Sequence, residues 1–229
     1  FLYHVRWRLG VRKTKYDITS CVFRESYLGD QYGIREFADR LRGQDRLVMF
    51  DLGRNHGLVL LFLVDYLTRT GSTIRRIDYV GIEPSPLKFA YHKDSPIEVH
   101  YRLIDKAIIY DNQESISLKY GDDNFGNFNV AGSNYEGKHR RKLDYIEVEV
   151  DAISADDVIN LISSQADDVP LIVKIDFKYR CSRFFEMVTR QLSGRKGPLL
   201  IACEKDGTAE GDTTQYARDG YNTLVLMRA

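Results

Sequence analysis

The sequence predicts an α/β fold built on a mostly parallel sheet, with an N-terminal extension and a loop-rich insertion. From residue 46 onward, short apolar runs alternate with longer amphipathic stretches, a pattern typical of strands connected by helices. Strands separated by helices form a parallel sheet through right-handed crossovers. The predicted strands are 46–52, 78–83, 97–104, 116–120, 145–150, 170–177, 198–204 and 222–228. The predicted helices are 56–70, 86–92, 154–164, 181–193 and 212–219.

Composition limits the class of protein. The chain has 229 residues, of which 43% are hydrophobic, and 33 basic side chains balance 33 acidic ones. That length supports a full core in one globular domain. The absence of a basic excess argues against a dedicated nucleic-acid binder. No run reaches the roughly 18 apolar residues that a transmembrane helix needs.

Cysteine usage predicts a reducing compartment, which we take to be the cytoplasm. The chain has 3 cysteines, Cys21, Cys181 and Cys203, and their wide spacing fits neither a disulfide framework nor a zinc site. Because the chain begins with Phe1 rather than Met, we expect that a segment precedes it.

Two regions flank or interrupt the alternating pattern. Residues 1–44 form an N-terminal extension, in which the apolar spacing over 32–41 predicts an amphipathic helix. This extension either packs over the main domain, residues 45–229, or makes an oligomer contact. Residues 111–144 are rich in Asn, Asp and Gly and form a loop-like insertion. The insertion is either a lid or acceptor-site element, or a solvated hairpin.

Two carboxylates end consecutive predicted strands. Asp51 ends the first strand, and a turn containing Gly53, Asn55 and Gly57 leads into a helix. Glycines in such a turn allow positive φ and a close approach of the backbone to a ligand. Glu83 ends the second strand, where an acidic residue is placed to accept hydrogen bonds from ribose hydroxyls. Together the two features predict a nucleoside-containing cofactor.

Taken in order, these motifs resemble those of the FkbM-type family of S-adenosylmethionine-dependent methyltransferases. The Asp-x-Gly-x-Asn-x-Gly turn of that family matches residues 51–57, and its Glu-Pro-Asn-Pro-like turn matches Glu83-Pro84-Ser85-Pro86. Its Lys-Ile-Asp strand end matches Lys174-Ile175-Asp176. The resemblance covers about residues 46–229. It implies a Rossmann-like, doubly wound class I methyltransferase fold. Because a cofactor crevice requires a topological switch point, we expect strand 46–52 to lie between 78–83 and 170–177, with strand 222–228 within the sheet.

The resemblance also implies a role for each site residue. Asp51 would pair with the aminoacyl ammonium of S-adenosylmethionine or with a bridging water, and the backbone at Gly53 and Gly57 would approach the cofactor. The other implied cofactor-binding residues are Asn55, Glu83, Pro84 and Ser85, with Glu83 on the ribose, and Asp105, Lys106 and Ala107 beside the adenine. Asp176 would orient or deprotonate an acceptor hydroxyl. The alternative for Asp176 is a cap on the helix predicted at 181–193.

One departure from the family leaves the activity open. The family continues Val-Glu-Gly-Ala-Glu after Lys-Ile-Asp, whereas this chain has Lys178 and Tyr179 in place of the first Glu and the Gly. A lysine beside one carboxylate is a poor site for a hard divalent cation, so we expect no metal there. The leading reading is O-methylation of a small-molecule or glycan-type acceptor, and the alternative is a cofactor-binding or interaction domain without catalysis. A nicotinamide-dependent oxidoreductase is disfavoured because the turn lacks Gly-x-Gly-x-x-Gly.

Overall fold

The computed structural model describes residues 25, 28–84, 95–111, 113–121, 128–130, 145–177, 180–205 and 223–228. Their helices are α1 (Ile34–Asp39), α2 (Leu58–Arg69), α3 (Ala155–Ser163) and α4 (Cys181–Gln191). The strands are β1 (Arg46–Leu52), β2 (Arg76–Ile82), β3 (Glu98–Ile104), β4 (Ala107–Ile109), β5 (Ser115–Gly121), β6 (Phe128–Val130), β7 (Tyr145–Ser154), β8 (Leu171–Ile175), β9 (Leu199–Glu204) and β10 (Thr223–Arg228). The helices predicted at 86–92 and 212–219 lie outside the described residues.

The main sheet has six strands in the order β10-β9-β8-β1-β2-β3. All of its neighbours run parallel except β10, which pairs antiparallel with β9. The predictions that strand 46–52 lies between 78–83 and 170–177, and that strand 222–228 joins the sheet, are confirmed. A mixed sheet with one antiparallel edge strand is common among α/β proteins.

Helices cover both faces of this sheet. In β1, Leu47 and Met49 belong to one apolar cluster, which includes residues of α1 and α2. Val48, Phe50 and Leu52 face the other way and pack in a second cluster with α3 and α4. Strands buried on both faces have continuous apolar sequences, which is why β1 and β8 stand out in the sequence. The described residues contain only four α-helices, fewer than a complete doubly wound sheet carries.

A separate four-stranded sheet, in the order β4-β7-β5-β6, contains the described part of the insertion. The strands predicted at 116–120 and 145–150 do not continue the parallel alternation, since β5 pairs antiparallel with both β6 and β7. Antiparallel strands can be joined by a short turn without a helix, so strands and helices no longer alternate between β5 and β7. Residues 115–121 and 128–130 form an antiparallel pair, and the role of the insertion, as a lid or acceptor-site element or as a solvated hairpin, stays a prediction. β4 and β6 are strands that the sequence pattern did not predict.

The described part of the N-terminal extension packs on the main domain. The predicted helix at 32–41 is confirmed as α1, and Tyr32, Phe37 and Leu41 are buried in the same cluster as α2. The prediction that the extension packs over the main domain is thus correct for residues 32–41. Within the described residues, none of the helices combines the length and the apolar character that crossing a membrane requires.

Candidate functional site

The predicted site residues follow the ends of neighbouring parallel strands. Leu52, the last residue of β1, is in register with Ile82 of β2 and with Ile175 of β8. Ile82 is in turn in register with Ile104, the last residue of β3. The turn at 53–57 and the residues Glu83, Asp105 and Asp176 therefore leave the sheet at one edge. The structure brings together at this edge side chains that lie far apart in sequence.

The turn after β1 consists of left-handed and hydrogen-bonded backbone. Gly53, Asn55 and Gly57 have φ values of 74°, 49° and 75°. The N–H groups of Gly53 and Arg54 donate to the carbonyl oxygen of Ile82, at 2.9 and 3.2 Å. Three positive φ values within five residues explain the two glycines, and asparagine is among the few other residues that adopt this conformation readily.

Glu83 lies against this turn. Its carboxylate Oε2 accepts a hydrogen bond from the backbone N–H of Asn55 at 3.1 Å, and the residue is buried. The side-chain Oδ1 of Asn55 accepts from the N–H of His56 at 2.8 Å. Pro84 follows with intermediate exposure, and Ser85 lies outside the described residues. The two motifs of the sequence therefore form one local structure.

Asp105 reaches the same turn through Arg54. Arg54 Nη2 donates to Asp105 Oδ1 at 3.0 Å, and Nη1 donates to the carbonyl oxygen of Asn55 at 2.9 Å. The Arg54 side chain is buried, whereas that of Asp105 is 73% exposed. Lys106 is partly exposed, and Ala107 is buried at the start of β4. Arg54 carried no role in the sequence analysis, because it stood at a variable position of the motif.

Asp51 is buried beneath the turn. Its Oδ2 accepts a hydrogen bond from Tyr79 Oη at 2.9 Å, and its Oδ1 lies 3.0 Å from Lys174 Nζ. Lys174 Nζ also donates to the carbonyl oxygen of Gly53 at 2.7 Å. Burial opposes the charge of Lys174, but the carboxylates of Asp51 and Asp176 outweigh it and raise the lysine pKa above its ordinary value. Lys174 therefore joins the end of β8 to the end of β1 and to the turn that follows β1.

Asp176 lies close to Tyr32 and Lys174. Its Oδ2 accepts a hydrogen bond from Tyr32 Oη at 3.1 Å and lies 3.3 Å from Lys174 Nζ. Burial, reinforced by the carboxylates of Asp176 and Glu204, raises the pKa of Tyr32, so the phenol remains a proton donor. The Asp176 side chain is 28% exposed. Arg180 is the N-cap residue of α4 and has no side-chain capping hydrogen bond, and the helix-cap alternative for Asp176 stays a prediction.

Sequence reasoning assigned no role to Tyr32, Tyr79 or Lys174. Lys174 carried a usable signal, since it is the only charged residue in the buried strand Leu171–Ile175. Lysines are almost never fully buried unless they are paired, so a lysine in such a strand predicts a nearby carboxylate. The two tyrosines carried no such signal, because a buried tyrosine has many possible partners.

Only part of the region after Asp176 is described. Lys178 and Tyr179 lie outside the described residues, so the expected lack of a metal beside Lys178 stays a prediction. Arg180 has a φ of 55°, and its carbonyl oxygen accepts a hydrogen bond from Tyr110 Oη at 2.7 Å. In the part of the chain that the structure describes, no three His, Cys, Asp or Glu side chains are grouped to hold a metal ion.

The charges at this edge of the sheet nearly balance. Five carboxylates (Asp51, Glu83, Asp105, Asp176 and Glu204) and four cations (Arg54, Lys106, Lys174 and Arg180) leave a formal charge of −1 among the described residues discussed above. Comparison with protein-family models and with curated proteins finds no match to this chain.

Proposed function

We propose that this protein is an S-adenosylmethionine-dependent methyltransferase that acts on a hydroxyl group of a small-molecule or glycan-type acceptor. The proposed architecture is the Rossmann-like, doubly wound fold of class I methyltransferases. The sheet order supports it, because β1 lies between β2 and β8 and the chain therefore changes direction across the sheet at β1. Open α/β sheets bind ligands at the carboxyl ends of strands beside such a point.

The contact between Glu83 and Asn55 is the observation that carries the proposal. It places a buried carboxylate at the end of β2 beside a turn that has left-handed backbone at Gly53, Asn55 and Gly57. A carboxylate there can accept hydrogen bonds from both ribose hydroxyls, while the turn accommodates the methionine part of the cofactor. An isolated strand-glycine-helix junction would not bring these two features together.

Electrostatics support S-adenosylmethionine over a dinucleotide. The cofactor has a cationic sulfonium and an ammonium group, and the small acidic excess at this edge, a formal charge of −1, is compatible with both. The pyrophosphate of NAD is anionic and would meet repulsion at the same place. The turn also lacks the third glycine of a pyrophosphate-binding fingerprint.

Asp176 is the candidate acceptor residue of the proposed enzyme. It follows β8 beside the proposed cofactor, and its partly exposed carboxylate is accessible to an acceptor hydroxyl. Methyl transfer requires the nucleophile to approach the methyl carbon in line with the sulfur, so positioning supplies most of the rate enhancement. Asp176 would orient the hydroxyl and receive its proton.

The contacts of Asp176 also favour a second candidate, a cofactor-binding domain without catalysis. Tyr32 and Lys174 both approach Asp176 Oδ2, so this oxygen already has partners within the chain and is less available to an acceptor hydroxyl. The sequence change to Lys178 and Tyr179 points the same way. In this second candidate the cofactor half of the site is retained and the acceptor half is not used.

Titration of the purified chain with S-adenosylmethionine, S-adenosylhomocysteine and NAD tests the cofactor. We expect the first two to bind and NAD not to bind. Glu83→Ala should weaken binding by about 1.5–3 kcal/mol, the range for hydrogen bonds to a charged group. Glu98→Ala is the control, since Glu98 is exposed on β3 and contacts His100. Equal affinities of Glu83→Ala and wild type would refute the cofactor assignment.

Asp176→Asn distinguishes an enzyme from a binding domain. For an enzyme with an identified acceptor, we expect turnover to fall by about 10²–10⁴-fold, the usual contribution of a general base, with cofactor affinity nearly unchanged. For a binding domain, no acceptor is methylated and the cofactor still binds. A magnesium- or manganese-dependent activity that a chelator abolishes would contradict the proposed metal-independent site.

A further inference from the structure

Two consecutive residues of the turn after β1 hold the two outer carboxylates of the site. Arg54 holds Asp105 through its guanidinium, and Asn55 holds Glu83 through its backbone N–H. The carboxylates come from the ends of β3 and β2, so this turn ties together three neighbouring strand ends. Their relative positions depend on a side chain in one case and on the main chain in the other.

The residues around Arg54 leave space for its side chain and fix its guanidinium near Asp105. The side chain is buried over Gly81, where a Cβ atom would stand only 2.6 Å from Arg54 Cδ. A glycine at position 81 therefore leaves room for the aliphatic part of the arginine to cross β2. The guanidinium then emerges at the end of β3, and its Nη1 is fixed by the carbonyl oxygen of Asn55. Because the Arg54 side chain is already held over Gly81 and at the carbonyl oxygen of Asn55, it loses little further conformational entropy when it binds Asp105.

The contact has a marked asymmetry. Arg54 is almost entirely buried, but Asp105 is 73% exposed and lies in the short connection between β3 and β4. An exposed aspartate without such a contact samples several rotamers and must be ordered when a ligand binds. Because Arg54 orders Asp105 before a ligand binds, this loss of conformational entropy does not reduce the affinity. Asn55 orders Glu83 in the same way.

We propose that Arg54 is a positioning residue that preorganises Asp105 for the nucleoside part of the cofactor. The inference rests on the proposed function. Arg54 would thereby raise the affinity for the nucleoside of the cofactor and would not act at the sulfur. Asp105 follows β3, and β2 and β1 separate it in the sheet from β8, which Asp176 follows.

The test uses Arg54→Met, which retains an unbranched apolar side chain over Gly81 and removes the guanidinium. S-Adenosylmethionine and S-adenosylhomocysteine share the nucleoside and differ at sulfur, so we expect Arg54→Met to weaken both by about 10-fold, with the ratio of their affinities unchanged. Asp105→Asn should weaken both to a similar extent, and the double variant should lose little more. Calorimetry on the full chain measures all four proteins.

Arg46→Met is the matched control. Arg46 Nε pairs with Asp78 Oδ2 at 2.6 Å, an arginine-aspartate contact at the opposite end of β1. The control should keep wild-type affinity for both ligands. Asp105→Asn alters only an exposed side chain, so it tests the inference even if Arg54→Met fails to fold. Unchanged affinity in Asp105→Asn or in a folded Arg54→Met, or a changed ratio between the two ligands in either variant, overturns the inference.

The outcomes separate this inference from the proposed function. If wild type binds neither ligand, the proposed function fails and the positioning role fails with it. If wild type binds both and the Arg54 and Asp105 variants bind equally well, only the inference fails. Arg54→Lys adds a check on geometry: it keeps the charge but has one donor centre, and we expect it to recover only part of the lost affinity.

Discussion

The Cα of Gly53 lies against the backbone carbonyl of Asp176, so close that a Cβ atom on residue 53 would stand 1.9 Å from that oxygen. The N–H of Asp176 donates to the carbonyl oxygen of Leu52 at 2.8 Å, which keeps the two segments in contact. The turn of the proposed cofactor half and the strand end of the proposed acceptor half are thus in direct backbone contact. A shift in one segment must displace the other.

Gly53→Ala is therefore expected to destabilise the protein. The new methyl group cannot fit against a backbone carbonyl, and residue 53 has a φ of 74°, so we expect a loss of about 2–5 kcal/mol from overpacking and backbone strain together. Gly71→Ala is the control, because Gly71 has a similar φ of 66° with no atom within 4 Å of the added Cβ. It should cost only about 1–2 kcal/mol. Urea unfolding measures both, and equal losses would contradict the close contact.

Lys174→Met should destabilise the fold strongly. It leaves the buried carboxylate of Asp51 without its cation, and breaking a buried pair by removing one partner costs about 3–5 kcal/mol. Lys174→Met combined with Asp51→Asn should regain part of that loss, because no buried charge is left without a partner. Arg40→Met removes the exposed pair with Glu36 and should cost less than about 1 kcal/mol. If Lys174→Met is as mild as Arg40→Met, the charged pair does not stabilise the protein.

Tyr79→Phe should reduce the loss of stability at alkaline pH. Burial and the Asp51 carboxylate raise the pKa of Tyr79 well above its ordinary value, so the unfolded chain releases the phenol proton at about pH 10 while the folded chain retains it. The free energy of unfolding then falls as pH rises above about 10, by up to about 1.4 kcal/mol per pH unit for each such group. Tyr32 and Lys174, whose pKa values are also raised, contribute in the same direction. Urea unfolding between about pH 9 and pH 11 should give a shallower pH dependence for Tyr79→Phe, and identical slopes would contradict the assignment.

Arg180→Gly should stabilise the protein. Arg180 has a φ of 55°, a conformation that costs a side chain about 1–2 kcal/mol and costs glycine almost nothing. After subtraction of the entropy that glycine adds to the unfolded chain, we expect a gain of about 0.5–1 kcal/mol. The same exchange at Arg190, inside α4, should lose about 1 kcal/mol. Thermal unfolding compares the two, and a loss of stability at Arg180 would show that contacts of its side chain outweigh the backbone strain.

The sequence by itself was sufficient for the positions of the strands of the main sheet and for the central place of β1, but not for the antiparallel direction of β10. Strands buried on both faces need continuous apolar residues, so 46–52, 78–83, 170–177 and 198–204 were recognisable, and the glycine turn and Glu83 could be assigned to strand ends. Strand order followed from the rule that a ligand crevice forms where the connections change direction. These properties depend on local composition and chain order, which the sequence contains directly.

Only the tertiary structure decided the partners of the buried charges. Arg54 meets Asp105 across 51 positions of the chain, Lys174 meets Asp51, and Tyr32 meets Asp176 across 144 positions. Such contacts depend on which strand ends become neighbours and on which residue leaves space, as Gly81 does for Arg54. The antiparallel pairing of β5 and β7 could not be predicted from the sequence for a related reason. Parallel and antiparallel strands can have the same apolar spacing, and only pairing across the sheet distinguishes them.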